Sequence, residues 1–321
     1  MKALLQRREW APLVVLVLVV AAAAIKEPLF LDQRNINSIL LWMPLILVAA
    51  VGQLPIIVMR GIDISIGSTA GLSGIILGIF LRQSNTLPMP VCFAIGALVG
   101  LILGLVNGSL IAFGKLPAIV VTIGTLTAFR GLAYLFSGGD QVDRSLIPEG
   151  LTSLARDGIP IGGVTISWLL VIALLIAIAM AVVLKMTQIG RDVFALGSNP
   201  NAAHLRGIST NKMTLLAYGF CGLTAGIVGV MYAAKFGFVN PGTTGKSFEL
   251  TVIAAVAIGG VKITGGSGTI LGVLIGCLLL SCINVALTVL GIDANWQMLA
   301  YGLTIIGALL LEPLTQKWRK A

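Results

Sequence analysis

Apolar residues form long runs that recur from one end of the chain to the other. A helix of about 20 such residues can cross the roughly 30 Å hydrocarbon core of a membrane. Ten runs approach this length, at residues 11–30, 39–59, 64–81, 91–113, 117–136, 167–184, 213–234, 250–261, 269–290 and 296–311. The eighth run is short and ends at two glycines, which suggests a broken or re-entrant segment. The pattern predicts an all-α polytopic membrane protein with about ten transmembrane helices.

Charged residues lie between these runs and orient the chain. Lys and Arg are concentrated in the loops on the same side as the N-terminus, as the positive-inside rule requires of the cytoplasmic side. We therefore expect both termini in the cytoplasm, an inner loop over 185–212 and an outer loop over 137–166. In this topology Lys235 and Glu249 lie on the outer face. The whole chain, residues 1–321, is interpreted as one transmembrane domain in contact with membrane lipid.

Composition excludes several classes of protein. Hydrophobic residues make up 57% of the chain and charged residues 10%, which argues against a water-soluble fold. The net charge of +9 is scattered, so it does not predict nucleic-acid binding. Four cysteines within apolar runs and a single histidine predict neither disulfides nor a metal site. We expect no bound cofactor.

The sequence also shows no catalytic motif. No set of nucleophile, base and orienting acid stands out. The tract GTTGKS at residues 242–247 resembles part of a phosphate-binding loop, but Asn240 stands where that pattern needs glycine. The sequence therefore predicts a protein that is not an enzyme and does not itself hydrolyse ATP.

Two ionisable residues close to the predicted spans are candidates for function. Asp63 lies in a glycine-containing turn between the second and third spans, where it either caps the next helix or lines a solute path. Arg130 lies near the middle of the fifth span and is either paired with backbone carbonyls or close to the path. Ion-driven carriers usually place several acidic or histidine groups within their spans, so the shortage here favours an external source of energy.

Three polar residues within spans, Asn107, Thr125 and Asn284, either hydrogen-bond between helices or line the same path. Asn107 and Asn284 are 177 residues apart, and this offset superimposes spans of opposite orientation, which suggests an inverted repeat. A rival pairing of residues 61–65 with 260–264 relates segments of the same orientation, and the two pairings cannot describe one symmetry. Glycines spaced by four residues predict close helix packing.

The inner loop carries signals for a short helix. Ser198 or Asn199 can cap it, Pro200 suits its first position, and Gly207 can end it after about two turns. We interpret this helix as a contact for a cytoplasmic partner, and the alternative is a solvated connector.

Several tracts, in order along nearly the whole chain, resemble the permease subunits of ABC-type sugar importers, such as the ribose, xylose, rhamnose and autoinducer permeases of bacteria. The tracts are GIDISIGS at 61–68, GTLTAFRG at 124–131 with SGG at 137–139, GRDV at 190–193 with GSNP at 197–200, and GG at 259–260 with GGSGT at 265–269.

This resemblance implies a multi-pass permease of the bacterial inner membrane that carries a small neutral sugar or sugar-like solute by alternating access. Its partners would be a second permease, identical or paralogous, a cytoplasmic ABC ATPase that binds ATP and Mg, and a periplasmic solute-binding protein. The outer loop would then be periplasmic. Alternatives are a branched-chain amino-acid ABC permease and an ion-coupled secondary carrier.

The resemblance also assigns a role to the predicted short helix. The family pattern E-A-A-x-x-x-G aligns with residues 201–207, and this alignment implies coupling to the ATPase through Asn201, Ala202, Ala203, Arg206 and Gly207. This chain has Asn201 where the family has Glu, so an ionic contact at that position is not expected.

Overall fold

The protein is described by a computed structural model that covers residues 10–84 and 86–292, together with residues 296, 299, 302 and 303. Within these residues, seven helices are long and apolar enough to cross a membrane. They are α2 (Gln33–Val58), α3 (Ile66–Gln83), α4 (Met89–Ala112), α5 (Ala118–Ser137), α7 (Trp168–Met186), α10 (Thr210–Phe236) and α12 (Ile270–Val289). The chain is a mostly helical, polytopic membrane protein, as the apolar runs predict.

Two shorter apolar helices account for two more of the predicted spans. These helices are α1 (Trp10–Lys26) and α11 (Phe248–Ile258), which match the first and eighth runs. The tenth run, 296–311, lies outside the continuously described residues. The count of ten crossings and the inverted repeat therefore remain predictions.

The outer loop predicted over 137–166 is structured. It contains a 3-10 turn (Arg144–Leu146), α6 (Glu149–Arg156) and an antiparallel hairpin of β1 (Gly158–Ile161) and β2 (Val164–Ser167). Gly162 and Gly163 form the two-residue turn with φ of 57° and 86°, a left-handed conformation that glycine adopts without steric cost. The amide of Thr165 donates to Oδ1 of Asn37 at 2.9 Å, so the hairpin lies near the start of α2. We call this the hairpin end of the bundle.

The inner loop predicted over 185–212 forms two helices, α8 (Gln188–Ser198) and α9 (Pro200–Leu205). They lie at the opposite end of α2, because Arg60, which follows that helix, donates hydrogen bonds to the end of α8. We call this the α9 end of the bundle. The two long polar loops of the sequence therefore lie at opposite ends of the molecule.

Glycine permits close contact between α4 and α10. A Cβ atom added at Gly100 would overlap the carbonyl oxygen of Gly222, and one at Gly226 would overlap that of Gly96. Packing this close requires residues without side chains. The close packing predicted from the glycine spacing is confirmed at this contact.

The second helix forms the centre of the bundle. All the residues of α2 from Leu45 to Val58 are buried, and most of the residues of α3 are buried as well. By contrast, α4, α5 and α7 expose large apolar side chains on their outer faces, including Leu98, Leu135 and Leu175. Such faces suit a hydrocarbon environment, in which lipid tails cover them.

An extended stretch of chain precedes α11, the helix that corresponds to the short eighth apolar run. After α10 the chain turns back, and Val239 pairs with Val142 through two backbone hydrogen bonds of 2.8 and 3.1 Å. Residues 239–245 then run along the glycine face of α3, from Gly74 through Gly71 to Gly67, before α11 begins. We call residues 237–247 the re-entrant segment. The broken or re-entrant interpretation of the run 250–261 itself stays a prediction.

Candidate functional site

The turn between α2 and α3 folds back into the bundle. Asp63 is 2% exposed, and its carbonyl oxygen accepts a hydrogen bond of 3.2 Å from Nε2 of Gln53 on α2. Oδ1 of Asp63 accepts from the amide of Ser65 at 2.8 Å and from Oγ of Ser65 at 2.7 Å. These contacts satisfy polar groups just before α3, where no solvent reaches them. Asp63 therefore holds the turn before α3, whereas the N-cap of that helix, Ser65, has no side-chain capping hydrogen bond, so the helix-capping interpretation of Asp63 is not confirmed.

Three further helices reach this buried segment, residues 61–65. Nδ2 of Asn107 on α4 donates to Oγ of Ser65 at 2.8 Å, which links Asn107 to Asp63 through one hydroxyl. The carbonyl of Ile62 accepts from Thr122 of α5 and from Tyr218 of α10, each at 3.4 Å. Four helices therefore converge on one polar turn within an apolar core.

Two other predicted path residues, Thr125 and Asn284, lie on α5 and α12. Thr125 is buried on α5, where its hydroxyl donates to the carbonyl of Thr122 at 3.4 Å. Asn284 is partly buried on α12, a helix that packs against α2 and α11. The structure thus joins Asp63 and Asn107 in one network, and the solute-path role of all these residues remains a prediction.

Arg130 is held by the re-entrant segment. Its Nη1 donates to the carbonyl oxygens of Pro241 at 2.9 Å and Thr244 at 2.6 Å. The guanidinium passes over Gly71 of α3, where an added Cβ would lie 3.1 Å from Nη1. Non-helical backbone inside a membrane bundle leaves carbonyls that need donors, and Arg130 supplies them. The pairing with backbone carbonyls is therefore the interaction that the structure shows.

In the tract that resembles a phosphate-binding loop, the amides that would bind phosphate are bonded to the side chain of Asn240, two residues before the tract. Oδ1 of Asn240 accepts from the amides of Gly242 at 2.9 Å and Thr243 at 3.1 Å. In a phosphate-binding loop such amides point at the phosphate. Here they are already occupied, and the residues before the tract form a single bridge instead of a strand.

The short helix α9 has the ends that the sequence predicts. Oδ1 of Asn199 accepts from the amide of Ala202 at 3.1 Å, and Pro200 takes the first helical position. Gly207 follows the helix with φ of 79°. Ala203 is 2% exposed, whereas Leu205 is 89% exposed and the side chains of Asn201, Ala202 and Arg206 also face outward. One face of α9 therefore packs against the rest of the protein, and the opposite face is exposed.

Three charged residues have contacts that sequence analysis missed. Arg60 lies between two apolar runs, where the sequence indicates only an orienting charge, yet it donates hydrogen bonds to two carbonyls of α8. Lys235 and Glu249 were placed on the outer face. Nζ of Lys235 lies over the Trp42 ring, and Oε2 of Glu249 lies 2.6 Å from the position of a Cβ at Gly67 of α3. The neighbouring sequence gives no signal of these contacts, because the Gly197, Trp42 and Gly67 partners all come from distant segments.

The fold and these polar contacts define a helical membrane protein with a buried polar core and an exposed helix at one end. The family described as "Branched-chain amino acid transport system / permease component" matches residues 35–309. The chain therefore belongs to this family of transport permeases.

Curated relatives extend over nearly the whole chain. The autoinducer 2 import system permease protein LsrC of Salmonella paratyphi B is 32% identical over 97% of this chain and 88% of that protein. The LsrC proteins of Photorhabdus luminescens and Yersinia pseudotuberculosis are 30% and 32% identical over 97% of this chain, and over 92% and 86% of their own lengths. No solved structure matches the chain. The predicted resemblance to ABC-type sugar and autoinducer permeases is confirmed.

Proposed function

We propose that this chain is the membrane permease subunit of an ATP-driven importer for a small neutral, polyhydroxylated solute of the autoinducer-2 or sugar type. The observation that carries the proposal is α9, a capped helix that is anchored through Ala203 and exposes Leu205 at the end of the bundle. The relatives with full-length similarity are named as autoinducer 2 import permeases, which supports the solute class.

In this mechanism the energy comes from a separate ATPase that binds ATP and Mg. The ATPase contacts the exposed residues Asn201, Ala202, Arg206 and Gly207 at α9 from the cytoplasm, while the buried Ala203 anchors the helix to the rest of the permease. Closure of the ATPase switches the permease between outward and inward openings. A second permease copy or paralogue completes the path, and a periplasmic binding protein delivers the solute to the hairpin end. Both termini are then cytoplasmic, in a bacterial inner membrane.

The polar groups of the core suit a neutral solute. Asp63 and Arg130 are already engaged by Ser65, Pro241 and Thr244, so part of their hydrogen-bonding capacity is occupied before any solute enters. A solute that meets few free charges can enter and leave through modest hydrogen bonding. Asp63, Asn107, Thr125, Arg130 and Asn284 remain our candidates for the path.

The coupling role of α9 is tested at Gly207, whose φ of 79° proline cannot adopt. In the assembled complex, Gly207→Pro or deletion of residues 201–207 is expected to abolish solute-stimulated ATPase activity while membrane insertion persists. Gly207→Asn is the matched control, because Asn tolerates the left-handed conformation and should retain stimulation. Full stimulation in the proline or deletion variant would contradict the proposal.

The solute class is tested by uptake. Vesicles that contain the assembled importer should accumulate labelled autoinducer-2 or a labelled pentose in an ATP-dependent manner. Accumulation of labelled leucine instead, with no uptake of either sugar-like solute, would assign the chain to branched-chain amino-acid transport.

A further inference from the structure

Three separate chain segments meet at the α9 end of the bundle. Nε of Arg60, just beyond α2, donates to the carbonyl oxygen of Gly197 at 2.8 Å, and its Nη2 donates to that of Ser198 at 2.9 Å. The amide of Gly266, in the loop between α11 and α12, donates to the carbonyl oxygen of Val58 at 2.8 Å. We call this meeting point the Arg60 junction.

The junction is tightly fitted. A Cβ at Gly197 would overlap the carbonyl oxygen of Val58, and a Cβ at Gly265 would overlap the Arg60 side chain. Arg60 itself has φ of 69°, a left-handed conformation that is uncommon for residues with side chains. A non-glycine residue holds such a conformation only where its surroundings fix it, and functional sites are enriched in such positions.

The segments that leave the junction lead directly to the candidate functional elements. One residue after Ser198 comes Asn199, which caps α9. One residue after Arg60 the buried segment 61–65 begins, and Gln53 of α2 donates to Asp63 within it. The Arg60 side chain is therefore a direct link between the end of α8, which leads into the exposed helix, and the polar turn at the centre of the bundle.

We propose that Arg60 is a positioning residue that transmits displacement of α9 to α2 and the buried segment. This inference rests on the proposed function, in which an ATPase moves α9. The guanidinium is a planar fork that fixes two neighbouring carbonyls at once, so α8 and the end of α2 move as one unit. An ammonium is a single point charge and cannot hold both carbonyls in the same geometry.

The test measures solute transported per ATP hydrolysed in the reconstituted complex. Arg60→Ala should lower this ratio on the order of tenfold, within the usual range of coupling between sites, and Arg60→Lys should lower it less. Lys212→Ala is the matched control, because it removes an exposed cation at the start of α10, next to α9, and should leave the ratio unchanged. Thermal stability of each complex is measured in parallel.

The outcomes separate this inference from the proposed function. A lower ratio in a complex of normal stability supports it, since a purely structural role would change stability and leave the ratio alone. An unchanged ratio in both Arg60 variants, with Gly207→Pro uncoupled, overturns the role of Arg60 and leaves the proposed function standing. Full stimulation in Gly207→Pro overturns the proposed function itself.

Discussion

Nη1 of Arg130 donates a 2.6 Å hydrogen bond to the carbonyl oxygen of Thr244, which lies 114 residues further along the chain. With the second bond to Pro241, this contact ties the re-entrant segment, which packs on α3, to α5. We expect Arg130→Met to leave two buried carbonyls without donors and to lower the free energy of unfolding by roughly 3 kcal/mol. Thermal and denaturant unfolding of the purified permease measure the change.

Arg82→Met is the control for that variant. Arg82 makes one long hydrogen bond of 3.4 Å at an exposed position, so its loss should change stability by about 0.5 kcal/mol or less. Equal stability of the Arg130 and Arg82 variants would show that Arg130 does not hold the segment.

The contact between α4 and α10 predicts that alanine substitution lowers stability at Gly100 and not at Gly124. Gly100→Ala places a methyl group on the carbonyl oxygen of Gly222, so the helices must separate. We expect a loss of about 1–3 kcal/mol, or failure to accumulate in the membrane. Gly124→Ala on α5 meets nothing within 4 Å and should be tolerated. Expression and thermal unfolding compare the two, and equal behaviour would contradict the close packing.

The two interpretations of Asp63 are separated by conservative and drastic substitutions. Asp63→Ala removes the acceptor of the Ser65 amide, which should cost about 1–3 kcal/mol of stability. Asp63→Asn keeps an oxygen acceptor and should keep most of that stability. If Asp63 serves only to hold the turn, the KM for transport stays at the wild-type value in Asp63→Asn. A raised KM in a stable protein would instead place Asp63 on the solute path.

Lys235, unlike Asp63 and Arg130, has no hydrogen-bond partner for its buried Nζ in the described structure. Its Nζ lies 3.1 Å from the centroid of the Trp42 ring and 4.9 Å from that of Phe236. A cation–π contact contributes about 0.5–2 kcal/mol, and burial of an unpaired charge opposes it. We expect Lys235→Met, which fills the same space, to retain stability within about 1 kcal/mol. Lys235→Ala leaves a cavity beside Trp42 and should be the less stable variant in thermal unfolding.

The sequence predicts the features that depend on local pattern. Apolar runs locate the long helices to within a few residues, since the length of a span is set by the thickness of the membrane. Asn199, Pro200 and Gly207 locate α9, because capping depends on residues within one turn of each other. Spaced glycines predict close packing, although not which helix is the partner.

The features that sequence analysis missed depend on distant contacts. The re-entrant segment is rich in glycine and polar residues, a composition that is typical of a loop between spans. Its packing on Gly67, Gly71 and Gly74 shows that it lies inside the helix bundle. Arg60 and Arg130 bind backbone carbonyls more than 100 residues away, and backbone carbonyls carry no sequence signal. The hydrophobic pattern of the sequence therefore predicts the membrane spans. The contacts of the charged residues between and within these spans are set by the tertiary structure.

The most direct measurement is solute uptake into liposomes with and without the ATPase. The permease alone, given a proton or sodium gradient, should accumulate no labelled solute. Addition of the cognate ATPase, the binding protein, any paralogous second permease and ATP should produce accumulation that stops when α9 is deleted. Accumulation by the permease alone under an ion gradient would contradict the account.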